Sequence, residues 1–177
     1  MSLRPATPAD AAAIARVHVD AWRETYSGIV PDAYLAGLDY AAREARWRER
    51  LTTPGAGECI CVTADGAGQI VGFAGGGPQR TAIPGYMGEL YAIYLLRAAQ
   101  GQGAGRHLTR AVAARLAELD MRSLVVWVLA ANSSRGFYER LGGKLVAEQP
   151  IAIGGVSLRE VAYGWSDLAP LLTPTAP

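Results

Sequence analysis

Residues 89–119 read ELYAIYLLRAAQGQGAGRHLTRAVAARLAEL, and this stretch decides the fold class of the chain. Its first part, Glu89 to Leu96, is apolar and contains two tyrosines and an isoleucine, which predicts a strand. Its middle, Gln100 to Gly105, holds three glycines and predicts a loop. Its last part predicts an amphipathic helix, because apolar residues recur at helical intervals: Leu108, Val112, Leu116 and Leu119. Together they predict a strand–loop–helix unit of an α/β protein.

The loop before this helix can hold an anion. Glycines lack a Cβ atom, so a ligand can approach the backbone closely, and the first N–H groups of a helix have no internal partner. These groups and the positive end of the helix dipole favour a phosphate, and Arg106 adds a cation. Two nucleotide motifs fail, because the P-loop and the dinucleotide fingerprint both need glycine at position 106, counted from Gly101. A purely structural glycine-rich helix start is the alternative.

Further helices and strands surround this unit. Hydrophobic periodicity predicts them, in chain order, in residues 7–51 (helices), 59–75 (two strands, the second of which ends as the glycine run Gly75–Gly77 leaves the sheet), 123–129 (a buried strand), 132–141 (a helix) and 144–165 (two strands). We therefore predict a mixed α/β fold of α+β character, in which helices flank a central, mixed and partly parallel sheet. It forms a single domain over residues 1–177, and the tail from about residue 167 to 177 is expected to be frayed.

Composition excludes several classes of protein. The 177 residues suit roughly one domain, and a mean hydropathy of +0.11 argues against a disordered chain. A net charge of +1 and a pI near 7.8 do not fit a dedicated nucleic-acid binder, which usually has a pI above ~9. No membrane span and no secretory signal are visible, so we expect a cytoplasmic protein. Two cysteines and two histidines make a metal site improbable.

A third glycine-loop pattern fits without gaps. It is [RQ]-x-x-G-x-[GA], met here by Gln100, Gly103 and Gly105. This hexapeptide resembles the pyrophosphate-binding loop of the GNAT superfamily of acyl-CoA-dependent N-acetyltransferases, specifically a bacterial branch. The preceding strand, the run from Asn132 to Gly143 and both ends of the chain also resemble that family. Three features depart from its usual pattern: the proline after the strand is absent, the spacing from Asn132 to Phe137 is one residue shorter, and Gly143 replaces a phenylalanine.

The resemblance implies a cofactor site. Family members bind acetyl-CoA between splayed fourth and fifth strands, where backbone groups pair with the pantetheine amides. The matching positions here are Ile93, Tyr94 and Leu95. The loop residues expected to hold the pyrophosphate are Gln100, Gly101, Gln102, Gly103, Ala104, Gly105 and Arg106. Asn132 is expected to touch the pantetheine arm or to cap a helix, and Arg135 to reach a phosphate or to be solvated.

The resemblance also implies catalytic residues for direct attack of an amine on the thioester in a ternary complex. Glu89 opens the fourth strand, where many relatives keep a base that acts through water. The alternative is a solvated carboxylate, or one that binds the cation of the substrate. Tyr138 stands where relatives place the acid that protonates the leaving thiolate. The alternative for Tyr138 is a packing role on an amphipathic helix.

The acceptor is the least determined part of this prediction. Trp22, Tyr26 and Glu89 are expected to line its site, although aromatic residues at helical spacing are more often part of the core. A small-molecule amine and a peptide amine both remain open, as does a homodimer. No nucleic acid, membrane or metal partner is expected. A non-catalytic acyl-CoA-binding module is the alternative function.

Overall fold

Seven strands form one sheet in the computed structural model, which describes residues 1–173. The strands are β1 (Ser2–Pro5), β2 (Cys59–Ala64), β3 (Ile70–Pro78), β4 (Gly88–Leu95), β5 (Leu124–Leu129), β6 (Lys144–Ile153) and β7 (Val156–Trp165). Their order across the sheet is β1-β2-β3-β4-β5-β7-β6. Neighbouring strands are antiparallel except β4 and β5, which are parallel. The predicted mixed, partly parallel sheet is confirmed.

Six α-helices flank the sheet within residues 1–173. They are α1 (Ala11–Tyr26), α2 (Asp32–Ala36), α3 (Tyr40–Thr52), α4 (Ala104–Glu118), α5 (Arg135–Arg140) and α6 (Ala169–Leu172). Short 3₁₀ helices precede α1 and follow β4. Within the same residues, no helix is long and apolar enough to cross a bilayer.

The parallel pair β4 and β5 separates soon after it begins. Only two residue pairs join these strands, Gly88 with Leu124 and Glu89 with Val125. Beyond them the two strands diverge, so the backbone of each lacks a ladder partner on that side. A β-bulge at Tyr91 accompanies this change, because Gly75 pairs with Ala92 whereas Gly76 pairs with Leu90. The sheet is therefore split at its centre, which is the splay that the family resemblance implied.

Helices pack on both faces of the sheet. The predicted apolar stripe of α4, with Leu108 and Val112, packs on Leu90 and Val126 of the sheet. The opposite face packs against α1 and α3 through Phe73, and against α1 and α2 through Leu129. The alternation of side chains along β4 and β5 thus separates an α4 face from an α1 face.

Two expectations about segment ends were wrong. The glycine run Gly75–Gly77 was expected to leave the sheet, but it lies within β3, where a Cβ on Gly76 would come within 2.6 Å of Val112 Cγ1. Glycine here therefore permits close packing rather than a turn. The frayed tail was expected from about residue 167, yet Leu168 and Leu171 are buried, and α6 packs beside α4. Residues 174–177 of that predicted tail lie outside the described residues.

Candidate active site

A cavity of about 570 Å³ occupies the gap between β4 and β5. One wall is the diverging part of β4, and the other is the middle of β5 from Val126 to Val128. The glycine loop and the start of α4 close one end, while α1 and α5 contribute aromatic side chains. The cavity exists because the strand ladder stops after two pairs, so it follows from the topology of the sheet rather than from a surface loop.

The glycine loop brings backbone N–H groups to the cavity. Gly101 and Gly103 both line it and have φ of 72° and 82°, a left-handed conformation that glycine adopts without strain. Gly103 is also the N-cap of α4, so the free N–H groups of the first turn and the helix dipole lie at this end. Arg106 and Arg140 line the same cavity. This end can therefore bind an anion.

Tyr138 is the buried residue of α5. It lines the cavity, with its ring stacked on Tyr163 at 5.9 Å and edge-on to Phe137 at 5.2 Å between centroids. Burial, with a smaller contribution from Tyr26, raises the pKa of the Tyr138 phenol well above its usual value. The phenol therefore keeps its proton at neutral pH and can act as an acid.

Asn132 and Tyr26 form a polar group beside this phenol, and both line the cavity. Asn132 Oδ1 accepts a hydrogen bond of 2.8 Å from the backbone N–H of Ser134, which orients the side-chain amide. Burial raises the pKa of Tyr26, while hydrogen bonds with Tyr94 and Asn132 act in the opposite direction. The expected helix cap is thus an Asx turn before α5, which begins at Arg135 rather than at Asn132.

Most of the residues predicted for the site meet in this cavity. Those that line it are Tyr26, Ile93, Tyr94, Leu95, Gln100, Gly101, Gly103, Gly105, Arg106, Asn132 and Tyr138. Gln100 also turns back on β4, because its Nε2 donates a hydrogen bond of 3.1 Å to the carbonyl oxygen of Leu95. The contiguous unit from Glu89 to Arg106, within the stretch quoted first, supplies eight of these eleven residues.

Five predicted residues lie outside the cavity lining: Trp22, Glu89, Gln102, Ala104 and Arg135. The amide of Gln102 donates to the carbonyl oxygen of Ala98, and Ala104 is buried. The guanidinium of Arg135 donates to the carbonyl oxygen of Ala130 and to the Tyr163 hydroxyl, both at 3.1 Å. Trp22 packs against Tyr26 with centroids 4.8 Å apart, one layer behind the lining.

Glu89 has a partner that the sequence did not indicate. It is 2% exposed at the end where β4 and β5 still pair, and its carboxylate faces Arg80 of the β3–β4 loop. Oε2 accepts a 2.9 Å hydrogen bond from the Arg80 backbone N–H, and Oε1 accepts from the Arg80 guanidinium. The structure therefore holds both oxygens on one arginine and does not bring the predicted base together with Tyr138.

Two polar residues, Arg140 and Trp127, are among the lining residues that sequence reasoning did not assign to the site. Arg140 lies within the quoted run from Asn132 to Gly143, and a cation two residues after Tyr138 was the available signal. Trp127 of β5 is only half-buried, and its indole Nε1 donates to Thr81 Oγ1 at 2.9 Å. Its position in the middle of a continuous apolar strand suggested a core residue instead. Within residues 1–173, no three His, Cys, Asp or Glu side chains cluster as a metal site.

The fold and cavity together define a class of protein. A mixed sheet split between parallel neighbours, with an anion site at a helix N-terminus and a protonated phenol in the same cavity, is the arrangement that the GNAT resemblance implied. The sequence model of the Acetyltransferase (GNAT) family matches residues 17–143. The chain belongs to the GNAT family of acetyltransferases, whose members use acetyl-CoA, and it is an acetyltransferase enzyme.

Individual relatives agree with this assignment. The chain is 43% identical to the uncharacterized N-acetyltransferase YuaI of Bacillus subtilis, over 98% of this chain and 97% of that protein. It is 28% identical to the L-methionine sulfoximine/L-methionine sulfone acetyltransferase of Pseudomonas aeruginosa, over 84% and 83%. A paia N-acetyltransferase of Thermoplasma acidophilum in complex with coenzyme A has the same fold, with a TM-score of 0.69 and 17% identity, over 90% and 96% of the two chains.

Proposed function

We propose that the protein transfers an acetyl group from acetyl-CoA to a primary amine by direct attack within a ternary complex. The observation that carries this proposal is the cavity between the diverging strands β4 and β5, whose lining includes both the glycine loop at the N-terminus of α4 and Tyr138. An elongated cosubstrate with a phosphate group at one end and a reactive group at the other has the chemistry to fill such a cavity.

The strand side of the cavity fits an amide-bearing arm. Ile93, Tyr94 and Leu95 follow the point where the ladder to β5 ends, so this edge of β4 has no strand beside it. Backbone N–H and C=O groups at a buried edge require partners. An extended arm with its own amides can pair with such an edge as an added strand would.

The anion end fits a pyrophosphate. The loop from Gln100 to Arg106 presents backbone N–H groups and the positive end of the α4 dipole. Arg106 and Arg140 add two cations to the lining. In this proposal Arg140 takes the phosphate-facing role that the sequence suggested for Arg135, because Arg135 is already bound to Tyr163 and Ala130.

The reacting end needs a proton donor and a deprotonated amine. Acetyl-CoA would supply a thioester carbonyl and a thiolate leaving group. Tyr138 retains its proton at neutral pH and is the group we assign as the acid for that thiolate. An amine with a pKa of about 10.4 must lose its proton before it attacks, at a cost of about 4.6 kcal/mol at pH 7. The sequence predicts Glu89 as the base for this step, but Arg80 holds both oxygens of its carboxylate, so we do not assign the proton transfer to Glu89.

The acceptor side is formed by α1, with Tyr26 at the cavity and Trp22 behind it. The names of similar proteins do not agree on one acceptor. One relative is named for L-methionine sulfoximine and L-methionine sulfone. A structural neighbour from Brucella melitensis, with a TM-score of 0.71 and 24% identity over 93% and 99% of the two chains, is named for ribosomal-protein alanine. A homodimer and a cytoplasmic location stay predictions.

The test is a calorimetric titration of the protein with acetyl-CoA. We expect micromolar binding that weakens about tenfold in Arg106→Ala, because a charged hydrogen bond contributes about 1.5–3 kcal/mol. The matched control is Arg110→Ala, which removes an arginine one turn further along α4, outside the cavity lining. If folded wild type does not bind acetyl-CoA, or if both variants behave alike, the proposed site is wrong.

Thiol release in the presence of amines separates an enzyme from a non-catalytic acyl-CoA-binding module. We expect Tyr138→Phe to bind acetyl-CoA as the wild type does and to release thiol at least tenfold more slowly, because only the acidic proton is removed. Wild type that binds acetyl-CoA but releases no thiol with any amine would favour the binding module instead.

A further inference from the structure

Glu160 carries a carboxylate on the acceptor side of the molecule, and the proposed function gives this residue no role. It lies on β7 directly opposite Leu129 of β5, and paired residues of antiparallel strands share a face of the sheet. Leu129 packs with Tyr26 and with residues of α2, so Glu160 belongs to the α1 face. The tip of the β6–β7 hairpin closes on α2, where a Cβ at Gly154 would meet Tyr34 Cβ at 2.8 Å.

The half-buried carboxylate of Glu160 has no positively charged partner among residues 1–173. The other buried or half-buried glutamates in residues 1–173 each have an arginine: Glu44 has Arg48, Glu58 has Arg50 and Glu89 has Arg80. Glu160 has only a neutral partner within those residues, since its Oε1 accepts a 2.7 Å hydrogen bond from the amide of Gln149. Withdrawing a carboxylate from water without an opposite charge is costly. A cationic ligand would remove that cost.

The surroundings of Glu160 also suit a cation. Tyr26 lines the cavity, and the negative charge of Glu160 makes a small contribution to raising the pKa of the Tyr26 phenol. Trp22 packs against Tyr26 and Tyr34, with ring centroids 4.8 and 5.9 Å away. Aromatic faces attract ammonium groups through their quadrupoles. Glu160 and these aromatic rings thus belong to the α1 side of the sheet, and Tyr26 is the residue of this group that lines the cavity, since Glu160 itself is not part of the lining.

We propose that Glu160 binds the ammonium group of the acceptor, and that the acceptor is a primary amine with no carboxylate next to its nitrogen. This inference rests on the proposed function and adds the class of acceptor to it. A neighbouring carboxylate, as in an α-amino acid, would be repelled by Glu160, whereas a simple alkylamine or diamine would not be. Glu160 would thereby select the acceptor that approaches the cavity past Tyr26.

A matched pair of acceptors tests the selectivity. Thiol release is measured with L-methionine sulfone and with its decarboxylated analogue, in which hydrogen replaces the carboxylate, together with a panel of alkylamines and diamines. We expect wild type to have at least a tenfold higher kcat/KM for the decarboxylated analogue. A preference for L-methionine sulfone would overturn the inference while leaving the acetyltransferase activity in place.

The variant Glu160→Gln tests the residue, with whichever amine is acetylated fastest. We expect its KM for the amine to rise about tenfold or more while acetyl-CoA affinity is unchanged, because only the charge is removed. The control is Glu148→Gln on β6, an exposed glutamate on the adjacent strand that pairs with Arg159. Equal KM values in the two variants would overturn the inference. Failure of the proposed function looks different, since no amine would then give thiol release in wild type.

Discussion

At the scale of single residues, Glu89 has two competing descriptions. Because Glu89 stands at the start of β4, the family resemblance predicted that it acts as a general base. In the structure its carboxylate is 2% exposed and receives hydrogen bonds from the backbone and side chain of Arg80. Arg80 in turn lies over the ring of Tyr91, with its guanidinium carbon 3.9 Å from the ring centroid. The pair therefore fastens the β3–β4 loop to the closed end of the splayed strands.

These descriptions predict different results for Glu89→Gln. Loss of the ion pair should destabilise the fold by about 1–3 kcal/mol, which lowers Tm by several degrees for a chain of this size. Because Arg80 already occupies the carboxylate, we expect kcat/KM to fall less than tenfold in the folded protein. Thermal denaturation and steady-state thiol release measure the two effects.

Glu58→Gln is the control, since Glu58 is also paired with an arginine, Arg50, away from the cavity. It should show a similar loss of Tm and normal kinetics. A fall in kcat of about 10²–10⁴ in Glu89→Gln, with wild-type Tm, would instead establish the base predicted from the sequence.

The difference between Tyr138 and Glu89 shows which residues a sequence can place. Tyr138 and Asn132 both line the cavity, as the sequence predicted, because one short run of residues carries both and local geometry fixes their separation. The environment of Glu89 depends on Arg80, which lies in an irregular loop nine residues earlier. No periodicity relates these two positions, so the ion pair was not visible before the chain was folded.

At the scale of elements, the position of α4 depends on the glycines of β3. Gly76 lies beneath α4, where a Cβ would come within 2.6 Å of Val112 Cγ1 and 2.7 Å of the backbone oxygen of Glu89. The second contact involves backbone, so it cannot be relieved by a change of rotamer. Since Gly103 and the anion site lie at the N-terminus of the same helix, displacement of α4 would also move the site.

Gly76→Ala should therefore affect stability and cofactor binding together. Forcing a methyl group into a packed interface typically costs about 1–3 kcal/mol. We expect that loss in urea denaturation and a several-fold weaker affinity for acetyl-CoA in calorimetry. Gly66→Ala is the control, because a Cβ there meets nothing within 4 Å, and we expect its stability to change by about 0.5 kcal/mol or less. Equal stabilities of the two variants would show that α4 does not need this glycine.

The same glycines show the limit of prediction at this scale. Local propensity assigns a glycine run to a loop, and Gly75–Gly77 were assigned in that way. Tertiary packing overrides the propensity here, because α4 approaches one side of the strand and Tyr91 approaches Gly77 on the other. The helices and most strands were predicted because their hydrophobic periods are strong. Segment ends depended on contacts with distant residues, as they did for Leu168 and Leu171.

At the scale of the whole molecule, one buried histidine links the core to the cavity. His18 of α1 lies between α3 and the sheet, and its Nδ1 accepts a 3.2 Å hydrogen bond from the indole Nε1 of Trp47. Its ring stacks on Tyr94 with centroids 4.9 Å apart, and Tyr94 lines the cavity. Burial, with a smaller effect of Arg43, lowers the pKa of His18 to about 3.

This pKa predicts how the stability of the molecule depends on pH. Between about pH 6.5 and 3 the unfolded chain binds a proton at His18 that the native state does not bind. The contribution of His18 to the free energy of unfolding is thus fully present above about pH 6.5. It falls by up to about 1.4 kcal/mol per pH unit as the solution becomes more acidic. The pKa of Asp10 is lowered to about 2, mainly by the hydrogen bond from Arg4, so protonation of Asp10 reduces the stability further only below about pH 4.

We therefore expect the free energy of unfolding to fall by about 2 kcal/mol between pH 7 and pH 5, measured by urea denaturation. His18→Gln should be less stable at pH 7 but should lose less stability across that interval, whereas His107→Gln, which replaces an exposed histidine of α4, should keep the wild-type slope. If His18→Gln does not fold, NMR titration of wild type decides the question, because the His18 ring should stay neutral at pH 5. Protonation of that ring near pH 6.5 in the folded protein would contradict the prediction. Since the ring also supports Tyr94, the same titration would show whether acid opens the cavity before the molecule unfolds.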